Sequence, residues 1–114
     1  MFVKKFRLRK NKDFERVWQK GEGYFLKEIG LKVKENGLDI PRFGFIVSKK
    51  ISKKAVVRNK IKRRIRAIIR EFFSEIIEGY DYVFFARPGI ENLDFEELKD
   101  KVKILFNKLA KIKR

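Results

Sequence analysis

Arg58, Asn59, Lys60, Lys62, Arg63 and Arg66 fall within one nine-residue span. On an α-helix Arg58, Lys62 and Arg66 are successive i, i+4 neighbours, as are Asn59 and Arg63, so two adjacent rows of donors face one way. Guanidinium forks grip phosphate oxygens bidentately, and ammonium groups add point charge. Asn59 can both donate and accept, which suits a ribose 2′-hydroxyl or a base edge. This is the chemistry of holding a polyanion rather than of breaking a bond. The chain has no histidine and no cysteine, so it lacks the usual groups for proton transfer near neutral pH and for zinc, and it has no disulfide.

Such rows need a rigid rod beneath them. From Lys49 to Arg70 there are 11 Lys or Arg and no Asp or Glu in 22 positions. Val57, Ile61, Ile65, Ile68, Ile69, Phe72 and Ile76 interrupt the charge every three or four residues, which predicts one helix with an apolar stripe running to about Ile77, with Gly79 past its end. Lys62, Arg63, Arg66 and Arg70 lie off that stripe. A merely solvated helix face tends to alternate in sign, and this one does not, so its self-repulsion calls for an anionic partner. For Lys60 and Arg64 taken singly, a solvated face is an equally good reading.

The rest of the composition agrees. The net charge is +16 over 114 residues, with a pI near 10.3. The partner expected is nucleic acid or an anionic membrane surface. Hydrophobic residues make up 44% and aromatics 14%, enough to build a core despite the charge, and the length suits one domain, residues 1–114. No apolar run approaches the length of a membrane span, and the N-terminal cations are not followed by a signal core. The expectation is a soluble, cytoplasmic protein.

Residues 1–10 mix cations with Phe2, Val3, Phe6 and Leu8, and read either as a frayed arm or as one laid on phosphates. Asn11 is a candidate N-cap for a helix through Lys20, with Gly21 as its C′ stop. The apolar face of that helix is only Phe14, Val17 and Trp18. Phe14 and Trp18 are i, i+4 neighbours, and two readings stay open for them: core, or stacking on unpaired bases beside a basic groove. Tyr24 to Lys34 alternates as one half-buried strand, with Phe25, Ile29, Leu31 and Val33 inward and Glu28, Lys32 and Lys34 outward. Glu35-Asn36-Gly37 signals a turn and Pro41 closes the loop. Arg42 to Lys49 is the next strand, where Gly44 marks a close backbone approach or a bulge. After the basic helix, Tyr82 to Ala86 reads as a buried strand. Asp94 and Glu97 form a capping box for a last helix whose stripe is Leu98, Val102, Leu105, Phe106 and Leu109 and whose terminal lysines suit its dipole. The order predicts an α+β fold.

The chain resembles the protein subunit of bacterial ribonuclease P along nearly its whole length. The matching residues are Lys10, Asp13-Phe14, Val17-Trp18 and Gly21; Arg42, Gly44 and Val47-Ser48-Lys49-Lys50; Ala55-Val56, Arg58-Asn59, Lys62-Arg63 and Arg66; and Tyr82 with Ala86-Arg87. The resemblance implies a two-layer sandwich of a mixed sheet with three helices, ribosomal protein S5 domain 2-like, with a left-handed crossover between parallel strands. It implies a small basic cofactor for a catalytic RNA that removes the 5′ leader of precursor tRNA. Lys49, Lys50, Arg58, Asn59, Lys60, Lys62, Arg63 and Arg66 would contact the catalytic RNA. Lys10, Phe14, Trp18 and Lys32 would contact the single-stranded leader. No catalytic or metal-binding residue is implied in the protein. Mg²⁺ would be held mainly by the RNA and activate the attacking water. The partners implied are the catalytic RNA and precursor tRNA, with no DNA and no membrane.

Two departures from the family pattern stand out. The loop before Ala55 reads Ile51-Ser52-Lys53-Lys54, one residue longer than usual and without glycine. A sheet-face position that is often aromatic falls on Lys32, which would replace stacking by a cation. Two other function classes compete. A metal-dependent nuclease acting alone would need clustered carboxylates, and Asp39, Asp81 and Asp94 read as isolated. A general basic RNA-binding or ribosomal-type protein would show no preference for one RNA over bulk duplex.

Overall fold

The computed structural model describes residues 4–113, with side chains from Lys4 to Leu109. The expectations for Phe2 and Val3, and for the lysines beyond residue 109, lie outside the described residues. The elements are α1 (Asn11–Lys20), β1 (Glu22–Phe25), β2 (Ile29–Glu35), β3 (Arg42–Ile46), α2 (Ala55–Glu71), β4 (Tyr80–Ala86) and α3 (Phe95–Lys113), with short 3₁₀ turns at Lys4–Phe6, Phe73–Glu75 and Ile90–Asn92. The strands form one mixed sheet in the order β1-β2-β4-β3. β1 and β4 pair antiparallel with β2, and β3 runs parallel to β4. The fold is therefore α+β with three helices on a four-stranded mixed sheet.

Alternation along the strands divides the core between the two faces of the sheet. On one face Ile29, Leu31, Val33, Phe43, Tyr82 and Phe84 pack against Ile61, Ile65, Ile68 and Ile69 of α2 and Leu98, Val102, Leu105 and Leu109 of α3. The hydroxyl of buried Tyr82 donates to the Ile77 carbonyl at 2.5 Å, so this core keeps its polar group satisfied. On the other face a much smaller cluster of Leu8, Val17 and Val83, with Phe14 against it, seats α1. The two-layer expectation thus describes the sheet with α2 and α3, and α1 adds a partial third layer.

Several element boundaries differ from expectation. The predicted strand Tyr24–Lys34 is two strands joined by a tight turn, in which the Leu26 N–H donates to Ile29 O at 2.8 Å. That turn has no glycine, proline or asparagine to announce it. It is held from outside: the Arg87 N–H donates to Glu28 O at 2.9 Å, the Arg87 side chain donates to Lys27 O at 3.2 Å, and Lys101 pairs with Glu28 at 3.2 Å. Phe25, expected inward, is 59% exposed. α2 stops at Glu71 rather than Ile77. There Phe72 packs edge-on against Phe106 and its neighbour Phe73 packs against Phe6 and Phe43. A tightened 3₁₀ turn lets these adjacent rings both face the core.

The strand before α2 ends at Ile46, short of Lys49, and β4 begins two residues early at Tyr80. The N-cap of α1 is Lys10, not Asn11, and it makes no side-chain cap bond. Gly21 is extended (φ −79°) rather than left-handed. Its need for glycine is spatial, because a Cβ would collide with the carbonyl oxygens of Val17 and Val33. At α3 the capping box is formed as read, with Glu97 N–H donating to Asp94 Oδ1 at 2.8 Å and Asp94 N–H donating to Glu97 Oε1 at 3.1 Å. No described helix is long and apolar enough to cross a membrane.

Candidate nucleic-acid interface

The loop without glycine is an ordered turn. The Ile51 N–H donates to Ser48 O at 3.0 Å, and Ile51 is buried. Ser52 Oγ accepts from the Lys54 N–H at 3.2 Å, and Arg58 Nη1 donates to Ser52 O at 2.9 Å. Arg58 thus anchors the start of the helix as well as standing in the predicted row. Lys49 and Lys50 are exposed in this turn, and Lys53 and Lys54 are exposed just after it.

Along α2, Asn59, Lys60 and Arg63 are exposed, while Lys62 and Arg66 are half-buried. Arg64 faces elsewhere, donating to Leu93 O at 3.2 Å. Lys62 and Arg66 reach into a groove of about 200 Å³ whose other walls include Arg7, Arg9, Phe14 and Gly44. Among the described residues four cations and no carboxylate line it. The Arg66 guanidinium lies 5.2 Å from the centre of the Phe45 ring, and its buried Nε has no hydrogen-bond partner among the described residues. Desolvation first, then the charges of Arg7 and Arg63, lower its pKa. An anion placed in the groove would favour the charged guanidinium and so oppose this shift.

Arg7 and Arg9 are the residues that the sequence reading left open. Leu8 is buried, its N–H donates to Phe43 O at 2.8 Å, and Arg7 bridges Phe43 in parallel, so this segment runs beside the edge strand β3. The signal was present in Arg-Leu-Arg: one buried residue between two that face out.

Phe14 and Trp18 part company despite their spacing. The Phe14 ring closes one end of the groove over Gly44, where an added Cβ would lie 2.5 Å from the ring, which accounts for the glycine. Trp18 is 42% exposed and meets Phe85 edge-on at 5.1 Å. Lys32 Nζ lies 4.3 Å from the Trp18 ring centre and donates to the Trp18 carbonyl at 2.6 Å, so this cation is already engaged by α1. Lys10 is exposed just before α1. The predicted leader residues thus occupy one side of the sheet, with Phe14 meeting Lys62 and Arg66 in the groove and Trp18 with Lys32 further along.

A second constellation went unread. Asp81 is fully buried. It accepts from Arg16 Nη2 at 2.5 Å, Arg42 Nε at 2.9 Å, Arg42 Nη2 at 2.8 Å and Asn36 Nδ2 at 3.0 Å. The hydrogen bond to Asp81 raises the Arg42 pKa, against partial desolvation, with help from the charges of Asp81 and Asp13. Among the described residues no group of three or more acidic side chains could hold a metal ion.

A family model described as Ribonuclease P matches residues 2–110. A ribonuclease P protein component from Syntrophomonas wolfei is 41% identical over 92% of this chain and 88% of its own length. One from Microcystis aeruginosa is 40% identical over 90% and 88%. Among solved structures, the Staphylococcus aureus RNase P protein superposes with a TM-score of 0.84 at 32% identity, covering 93% of this chain and 95% of that one. The Thermotoga maritima RNase P protein superposes at 0.82 with 30% identity, covering 90% and 96%.

Proposed function

This chain belongs to the ribonuclease P protein component family, and from that premise we propose that it is the protein cofactor of a catalytic RNA that trims the 5′ leader from precursor tRNA. The observation that carries the reading is the groove in which Phe14 of α1 meets Lys62 and Arg66 of α2 beside Arg7 and Arg9. A single strand with its phosphates on these cations and a base against Phe14 satisfies both the charge and the apolar wall. Lys49, Lys50, Arg58, Asn59, Lys60 and Arg63 extend the same basic surface along α2 and offer donors to the catalytic RNA. Lys10, Trp18 and Lys32 continue the leader path along α1, with Lys32 acting largely by holding Trp18.

In this reading residues 1–114 are one RNA-binding domain working in the cytoplasm, and the crossover through α2 is the left-handed one of an S5 domain 2-like fold. The protein contributes no catalytic group. Its part is to neutralise phosphate repulsion between two RNAs and to hold the leader in place. The described residues do not fit a Mg²⁺ site, so we assign the ion to RNA phosphates. A lone nuclease has no ligand set among them.

The test is reconstitution with a bacterial ribonuclease P RNA at low Mg²⁺. The expected result is that the protein promotes cleavage of precursor tRNA, that the complex prefers precursor over mature tRNA, and that protein alone is silent. A general RNA-binding protein would instead be competed away by bulk duplex at about 0.2 M salt, where non-specific affinity is weak.

A further inference from the structure

α1 carries Phe14 and Trp18, yet little apolar surface holds it in place. Val17 is its one buried residue, and among the described residues its cluster has only Leu8, Val83 and Phe14 beside it. Nondirectional packing this small leaves the helix free to slide or tilt unless directional bonds fix it. At the C-terminal end Lys32 holds the Trp18 carbonyl; beside Phe14 the bonds converge on Asp81. Arg16 of α1 reaches Asp81 of β4 at 2.5 Å, and Arg42 of β3 binds the same carboxylate at 2.9 and 2.8 Å. Asn36, in the loop after β2, donates to it at 3.0 Å. α1 returns a second contact through Asp13, 3.8 Å from Arg42, and Arg16 also donates to Glu35 O at 2.8 Å. One carboxylate therefore ties α1 to β3, β4 and the end of β2.

Asp13 and Arg16 flank Phe14 in sequence, and Phe14 closes the groove over Gly44. The angle at which the clasp holds α1 is thus the angle at which Phe14 faces Lys62 and Arg66. We propose that Asp81, acting through Arg16 and Arg42, is a positioning residue that sets the seat of α1 and thereby the groove's grip on a single-stranded leader. It touches no RNA itself. The proposal rests on the leader reading above for its functional consequence, and on the clasp geometry alone for its structural one.

The chain has no cysteine, so nitroxide labels can be placed at Glu15→Cys on α1 and Arg70→Cys on α2, both exposed, and their separation read by pulsed electron resonance. Arg16→Met removes the direct link from α1 to Asp81 while leaving the Arg42–Asp81 pair and the Asp13–Arg42 contact in place, and the Arg16 side chain is 31% exposed, so this variant is expected to fold even if Asp81→Asn does not. Well below the melting temperature, Arg16→Met should broaden the label distance distribution. It should lower the preference of the reconstituted complex for precursor over mature tRNA by about tenfold, the worth of one stacked base. Affinity for the catalytic RNA alone should hold, and Arg16→Lys should restore part of both losses.

A clasp that matters only for stability would lower the melting temperature and move neither readout, which overturns the proposal. A broadened distribution with an unchanged preference overturns it as well. If the unmodified protein shows no preference for precursor, the leader reading fails, and the label distances alone then decide whether Asp81 seats α1.

Discussion

A buried carboxylate shared by two guanidinium groups is costly to disturb from either side. Asp81→Ala would leave Arg16 and Arg42 partly buried without their acceptor, and breaking such a pair costs about 3–5 kcal/mol. Set against a total of about 5–15 kcal/mol for a domain of this kind, that is a large share of the stability, with chemical denaturation as the measure. Trp18 carries a different risk. It is 42% exposed, so Trp18→Ala should lower the melting temperature only slightly. Losing one stacked base, about 1–3 kcal/mol, should weaken precursor affinity roughly five- to a hundredfold and spare mature tRNA. Equal losses for both ligands beside a large drop in melting temperature would make Trp18 a core residue after all. The cations of α2 were legible because seven of one sign, with no acidic residue before Glu71, share a helical frame, and that pattern has few other readings. Asp81 was not, because a lone acid between two tyrosines gives no hint of Arg16 and Arg42, which are 65 and 39 positions away.

At the scale of elements, α2 has a buried apolar face and a cationic face, and the two can be tested apart. Ile65→Ala should cost about 2–5 kcal/mol by opening a cavity against the sheet and α3, read as a fall in stability with RNA contacts intact. Lys62→Ala or Arg66→Ala opens no core cavity and should weaken RNA binding, each flattening the salt dependence by about one unit of slope. An unchanged melting temperature for Ile65→Ala would contradict the buried stripe. The stripe, the capping box of α3 and the alternation of β2 and β3 were all readable, since each is a local pattern with its own period. The β1–β2 turn was not, because Arg87 and Lys101 hold it from distant parts of the chain. Where α2 ends was decided by Phe72 and Phe73 together seeking partners that only the folded core supplies.

For the whole molecule the question is whether total charge or its placement governs binding. The net charge of +16 would attract any polyanion. Two double variants separate these effects: Lys62→Gln with Arg63→Gln on α2, and Lys103→Gln with Lys108→Gln on the exposed side of α3. Each takes +16 down by 2 to +14, so long-range attraction is reduced equally. Released counterions, however, come only from cations that sit on phosphates. The α2 pair should therefore lower the slope of log affinity against log salt by about 2, one per lost contact, whereas the α3 pair should leave it nearly unchanged. Titrating the catalytic RNA with each variant at several salt concentrations gives both slopes. Equal slopes would mean that the chain binds RNA as a diffuse cation, and the rows on α2 would lose their claim to a specific interface. A loss confined to the α2 pair, with circular dichroism showing both variants folded, would assign the contact to the face that joins the groove between α1, β3 and α2.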